Sequence, residues 1–288
     1  MTAIEPPLTS PRSLDEAYDL LSDAAWRPIA GGTDLMVQLT GELGEPPERL
    51  LDVWQLDELR GISHDGDAIT VGALTTYTEL RGSPVVAEFL PALTEAAATI
   101  GAAQIQNRGT VGGNIANASP AGDTLPIWLA TDAEIVVGSA RGERSIPAAE
   151  FWPAYRQTAC AADELVLRVR IPLVTDRQLR FRKVGTRRAQ AISKVVMAIA
   201  WRAADDAPDA PWTDVRVALG SMAATPVRAT ASEAILEGAV PDAATAERAV
   251  AALAAELQPI DDVRSTADYR RTVAGRVLLR LVRDAGAW

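Results

Sequence analysis

Two short glycine-rich runs, Ala30-Gly31-Gly32-Thr33-Asp34 and Gly109-Thr110-Val111-Gly112-Gly113-Asn114, constrain this chain more than any other feature. Paired glycines let backbones and oxygen-bearing ligands approach closely, and let consecutive N–H groups converge into a concave nest that suits a pyrophosphate. Taken singly, each run is compatible with a plain turn as well as with a nest. Neither has the spacing of the Rossmann or P-loop signatures, which disfavours the usual nucleotide-binding folds. A nest needs no basic side chain, and the charge balance agrees. Lys+Arg number 28 against 38 Asp+Glu, a net charge of −10, which argues against a non-specific grip on nucleic acid or anionic lipid.

Cys160 and His64 are the single cysteine and histidine. A structural zinc site, an iron–sulfur cluster or a disulfide framework each needs several such residues, so this chain by itself can build none of them and no metal ligands are assigned. The 288 residues, 48% hydrophobic and 23% charged, describe a globular protein of about two domains. The first eleven residues carry Glu5 and three prolines, with no apolar segment resembling a secretory signal, and no run of about 18 apolar residues follows anywhere. A cytoplasmic protein without membrane insertion is expected.

The periodicities divide the chain into three units. Residues 13–21 read as a helix, with Ser13 as cap and Glu16 completing a capping box. Short strands over 27–30 and 49–53 flank the first glycine run and a brief helix after it. From Gly61 the texture changes: Asp65-Gly66 signals a hairpin, a strand over 68–74 meets a Thr76-x-x-Glu79 capping box, and Ser83-Pro84 opens a helix reaching about Ile100. The second glycine run leads through Asn117 and Asp123 into a helix over 124–131 and a strand over 134–138. After about residue 172, strand-like runs at 179–184, 194–201 and 214–220 predict an antiparallel sheet, with a solvated loop at 205–211. Helices over 229–236, 243–257 and 266–283 follow.

The run Thr99-Ile100-Gly101, followed by Asn107 through Asp123 and taken together with residues 30–35, resembles the FAD-binding medium subunit of the molybdenum hydroxylases. That family includes xanthine dehydrogenase and the carbon monoxide dehydrogenase of aerobic bacteria. The resemblance covers essentially the whole chain. It implies an α+β protein: a two-subdomain FAD-binding domain of the PCMH/VAO type over 1–175 (subdomains about 1–57 and 58–175), then a C-terminal three-stranded antiparallel sheet with helices over 176–288. It also implies non-covalent FAD here, with molybdopterin and [2Fe-2S] clusters on large and small partner subunits in a dimer of heterotrimers, and an external acceptor such as NAD or a quinone.

By the same resemblance Ile29, Ala30, Gly31, Gly32, Thr33, Asp34 and Leu35, with Thr110, Gly112, Gly113 and Asn114, wrap the pyrophosphate. Ile100 and Asn117 join them, Asp123 serves the ribityl and adenosine side, and Val166 and Ile192 match apolar positions near the adenine or the isoalloxazine. Lys183 matches a lysine that approaches the flavin C2 carbonyl. A fixed ammonium there stabilises the charge added on reduction and raises the reduction potential. No side chain is required as catalytic acid or base.

Departures from the family pattern bear on specificity. Gln190 and Ala191 are neutral where relatives often carry an acid, and Gly32-Thr33-Asp34 stands where carbon monoxide oxidisers resemble Gly-His-Ser, which argues against carbon monoxide as substrate. His64 sits in a predicted turn and reads as solvated, Cys160 as an apolar filler, and the tryptophans as scattered. Arg180, Arg182, Arg187 and Arg188 form a basic cluster open to two readings, a solvated face or a cofactor or partner rim. Two other readings stay open: a self-sufficient flavin oxidoreductase with its own small organic substrate, and a relative that has lost FAD.

Overall fold

The computed structural model describes residues 6–41, 45–203, 210–286 and 288. Most of the loop expected at 205–211 therefore lies outside the described residues.

In the first unit a three-stranded parallel sheet, ordered β1-β3-β2, is built from β1 (Leu8–Thr9), β2 (Arg27–Ile29) and β3 (Leu50–Asp52), with helices α1 (Leu14–Asp23) and α2 (Leu35–Thr40) in the connections. Ser13 caps α1 by accepting the Glu16 N–H at 3.2 Å. The reciprocal bond of a capping box is displaced by one residue, because the Glu16 carboxylate accepts from Arg12 N–H at 2.7 Å. Ala17 and Leu21 turn inward with Leu51, Val53, Leu56 and Leu59, and this small core is closed by Leu165 and Leu167 from the next unit.

The second unit is a five-stranded antiparallel sheet, ordered β4-β5-β8-β6-β7, with helices over it. Its elements are β4 (Ile62–His64), β5 (Ala68–Gly72), α3 (Tyr77–Gly82), α4 (Pro84–Phe89), α5 (Pro91–Thr99), α6 (Ala103–Gln106), α7 (Val111–Asn117), α8 (Leu125–Ala130), β6 (Glu134–Ser139), β7 (Gly142–Pro147), α9 (Ala148–Phe151) and β8 (Leu165–Pro172). The Thr76–Glu79 capping box forms in full, and Ser83 caps α4 with Pro84 in its first turn. The single helix expected from 84 to 100 is two helices. Pro91 has no N–H to continue the ladder and Leu90 leaves helical backbone at φ −135°, so α4 ends and Pro91 opens α5. Strand β8 alternates buried and half-buried residues along its whole length, as a strand with one covered face should.

The third unit is an antiparallel sheet of three long strands, β9 (Arg177–Val184), β10 (Val195–Ala203) and β11 (Trp212–Gly220), edged by the two-residue β12 (Val227–Arg228). Helices α10 (Thr230–Leu236), α11 (Ala243–Glu256) and α12 (Ala267–Gly286) cover one face. The central strand β10 is buried on both sides. Val195, Met197, Ile199 and Trp201 face the helices, whereas Val196, Ala198 and Ala200 join the core of the second unit. That is why its sequence reads as an apolar run rather than an alternation. The seam is also charged: Asp132, at the end of the α8 turn, pairs with Arg177 at 3.2 Å, Arg216 at 3.2 Å and Arg228 at 3.5 Å.

Candidate functional site

Strand β2 delivers the first glycine run to the junction of the first two units. Val53 N–H donates to Ile29 O at 3.0 Å, which fixes where the loop leaves the sheet. Gly32 then takes φ +74°, a left-handed conformation that favours glycine, and α2 starts at once. Among the described residues, the successive backbone N–H groups of Gly31, Gly32, Thr33, Asp34 and Leu35 find no hydrogen-bond acceptor in the protein. Unpaired donors on a turn of this kind make an anion nest.

The second glycine run does different work. The N–H groups of Val111, Gly112 and Gly113 are already taken by Thr75 O at 3.0 Å, Ala73 O at 2.8 Å and Thr110 Oγ1 at 3.1 Å, and Asn114 N–H bonds to Thr110 O. Its glycines serve close packing: a Cβ on Gly112 would sit 2.6 Å from the Ala73 methyl. The expectation of two nests thus resolves into one nest and one tightly packed wall. The two runs touch through backbone, since a Cβ on Gly31 would lie 1.6 Å from the carbonyl oxygen of Arg108. A polar chain reinforces the contact, with Asn117 Nδ2 donating to Asp34 Oδ1 at 3.1 Å and Arg156 Nη1 donating to Asn117 Oδ1 at 3.0 Å.

Between them lies a cleft of about 450 Å³. Residues 29–35, Ile100, Thr110, 112–114, Asn117 and Val166 line it, all singled out from the sequence. Sequence reasoning missed other parts of the lining, residues 25–28, Thr158, Cys160, Ala161, Ala162, Glu164 and Leu165, and it missed Tyr77. The alternation of β8 was the available signal for Leu165, and nothing local marks the rest. Glu164 is pinned by a two-bond fork from Arg144, both bonds 2.7 Å, and accepts Ala161 N–H at 2.8 Å. The fork holds its carboxyl below the ordinary glutamate range.

Asp123, Lys183 and Ile192 do not line the cleft. Lys183 Nζ lies 2.6 Å from Asp123 Oδ2 and donates to Thr99 O at 3.1 Å, while Ser193 Oγ donates to the other Asp123 oxygen. Burial pushes the Asp123 carboxyl up from its ordinary value, and the Lys183 ammonium and the Ser193 hydroxyl oppose that shift. This buried pair ties the third unit to the second. Ile192 is 54% exposed.

The wall chemistry fits a dinucleotide. It offers the nest for a diphosphate and apolar surface from Ile29, Ile100 and Val166, while behind it Tyr77 Oη and Trp26 Nε1 are buried with no hydrogen-bond partner among the described residues. Burial raises the Tyr77 phenol far above the tyrosine range, keeping it protonated.

Fold and cleft therefore define a dinucleotide-holding α+β protein with a separate C-terminal unit. A family model described as the FAD binding domain in molybdopterin dehydrogenase matches residues 3–174, and one described as the CO dehydrogenase flavoprotein C-terminal domain matches residues 180–285. The chain is 30% identical to the carbon monoxide dehydrogenase medium chain of Hydrogenophaga pseudoflava and 31% identical to the nicotine 6-hydroxylase medium subunit of Paenarthrobacter nicotinovorans, with 96% of both partners covered in each case. It superposes on a chain of the reconstituted CO dehydrogenase from Oligotropha carboxidovorans with a TM-score of 0.92 at 29% identity, covering 100% of this chain and 99% of that one. The protein belongs to the FAD-binding medium subunits of the molybdenum hydroxylases, a family of oxidoreductase subunits.

Proposed function

We propose that the chain holds FAD non-covalently in this cleft and works as an electron-transfer subunit, drawing electrons from a [2Fe-2S] small subunit and passing them to an external acceptor such as NAD or a quinone. The nest of unpaired N–H groups at residues 31–35 carries the reading. It receives the diphosphate, with the Thr33 and Thr110 hydroxyls beside it. Asn114 and Asn117 flank the chain of the ligand, Ile100 and Val166 supply apolar contact, and Asp123, Ile192 and Lys183, which lie outside the cleft lining, serve the part of the ligand that extends beyond it. When bound, FAD supplies the change from one-electron to two-electron chemistry. The Lys183 ammonium, with Asp123 as its counter-ion, contributes a fixed dipole whose positive end raises the potential at which electrons are accepted.

The titratable groups of the cleft wall favour this over a self-sufficient oxidoreductase with its own organic substrate. A general acid–base pair needs groups poised near neutrality. Here Arg144 holds Glu164 low, and burial raises Tyr77 and Cys160. With one cysteine in the chain, the clusters that feed it reside elsewhere. We accordingly assign a cytoplasmic assembly with a molybdopterin-binding large subunit, a dimer of heterotrimers, in which the FAD-holding part runs to about residue 175 as subdomains 1–57 and 58–175.

The test is FAD titration of the full chain, redox titration of the product, and native mass spectrometry after co-expression with the neighbouring genes. A yellow chain that accepts electrons from dithionite, is not bleached by candidate substrates alone, and assembles with two further subunits supports the reading. Substrate turnover by the chain alone overturns it. A Lys183→Met variant that keeps FAD at an unchanged midpoint potential removes the role given to Lys183.

A further inference from the structure

Arg108 has two contacts that no cofactor-binding role accounts for. Its carbonyl oxygen forms the surface against which Gly31 packs, and its guanidinium carbon lies 3.8 Å from the ring centroid of Trp54. Trp54 belongs to the first unit, two residues beyond β3, while Arg108 precedes α7 in the second. The indole is itself well fixed. The Trp54 backbone N–H donates to Asp52 Oδ1 at 3.0 Å, the Trp54 carbonyl accepts from Arg60 Nη2 at 2.6 Å, and the Arg60 guanidinium is 4.7 Å from the ring. The turn carrying Arg108 is equally anchored: Gly109 N–H donates to Ile105 O at 2.6 Å, and Asn107 Oδ1 accepts from Thr78 Oγ1 at 2.6 Å.

We propose that the Arg108–Trp54 stack is a positioning device that sets the spacing of the two glycine runs, and so the affinity of the cleft for the FAD diphosphate. The proposal rests on the FAD reading above. The physical reason is that Arg108 joins both walls of the cleft through one residue. Its guanidinium grips the unit that carries the nest, and its carbonyl sets the distance at which Gly31 stops. A planar guanidinium 3.8 Å from an indole is close-packed, and arginine makes such stacks better than lysine does. Arg108 is exposed and Trp54 only partly buried, so the stack holds two loops in register without forming part of a core.

The experiment uses the full chain, stripped of flavin and titrated with FAD, with flavin fluorescence and the visible spectrum as readouts and apo-protein melting as control. Arg108→Met and Trp54→Leu are each expected to weaken FAD binding about 3- to 30-fold, the range corresponding to a partly desolvated cation–π contact. Arg108→Lys and Trp54→Phe, which keep a cation or a ring, are expected to recover most of that loss. The double variant is expected to lose no more than either single one, and the spectrum at saturation to stay that of the parent chain. Two results overturn the proposal: unchanged affinity in Arg108→Met, or losses in the two variants that simply multiply. If the parent chain takes up no FAD, the functional reading falls first and this proposal with it, whereas a parent that binds and variants that bind equally well remove this proposal alone.

Discussion

Replacing Gly31 by alanine would place a methyl group 1.6 Å from the carbonyl oxygen of Arg108, a main-chain atom that cannot rotate away. Carbon–oxygen contacts begin at about 3.3 Å, so the two glycine runs must part by about 1.7 Å to admit the methyl. A ligand seated against both walls then loses contact with one of them, and where it stays with the second, a nest hydrogen bond of about 2.9 Å stretched by that much is no longer a bond. Each bond from a neutral N–H to a charged phosphate contributes about 1.5–3 kcal/mol, so losing one weakens FAD binding about 10- to 150-fold, and losing two multiplies the effect. The assay is FAD titration of the apo-protein beside a melting curve. Gly82→Ala is the matched control, because nothing lies within 4 Å of its added Cβ and its backbone is not left-handed. FAD affinity in Gly31→Ala within about threefold of the parent would refute the claim that the two backbones meet there to shape the cleft.

Other consequences follow from the same geometry. Glu164 is held below the ordinary glutamate value of 4.5 by Arg144, so the stability it lends is complete above that value and fades as pH falls through its lower folded-state pKa. Glu164→Gln is expected to flatten the acid side of the melting-temperature profile while leaving the profile's shape near neutrality unchanged. Burial pushes the Cys160 thiol up to about 11, so alkylation at pH 8 is expected to run well behind that of a free thiol, to climb only as pH nears that value, and to slow further with FAD bound. Phe151 is fully buried in the main core, and Phe151→Ala is expected to cost about 3–5 kcal/mol in denaturant unfolding.

Several features of this protein were legible in the chain itself. Capping residues at Ser13, Thr76 and Ser83 place helix starts within a residue, because a cap is a local hydrogen bond between near neighbours. The central strand of the C-terminal sheet was visible as an apolar run, and the glycine runs announced the cleft. A single cysteine and a single histidine excluded resident clusters before any fold was known. Strand β8 could also have been found by its alternation. Strand β7, with a Gly-Glu-Arg-Ser stretch exposed at the sheet edge, carries no such pattern, since only one of its residues is buried.

What the tertiary structure alone decided is how residues far apart in the chain divide the work of the site. Both glycine runs look like nests in the sequence, yet among the described residues the first leaves five successive N–H groups unpaired while the second has those of Val111, Gly112, Gly113 and Asn114 occupied. Thr75 and Ala73, brought alongside α7 by the fold, take up those of the second. Asp123 and Lys183, 60 residues apart, pair in the seam between two units, and Trp26 comes to line the same cleft as Thr158, Cys160 and Leu165. Hydrogen-bond partners at that separation depend on how sheets stack and which faces they bury. Local propensity and spacing record the elements, and the free or occupied state of each donor is settled only when those elements meet.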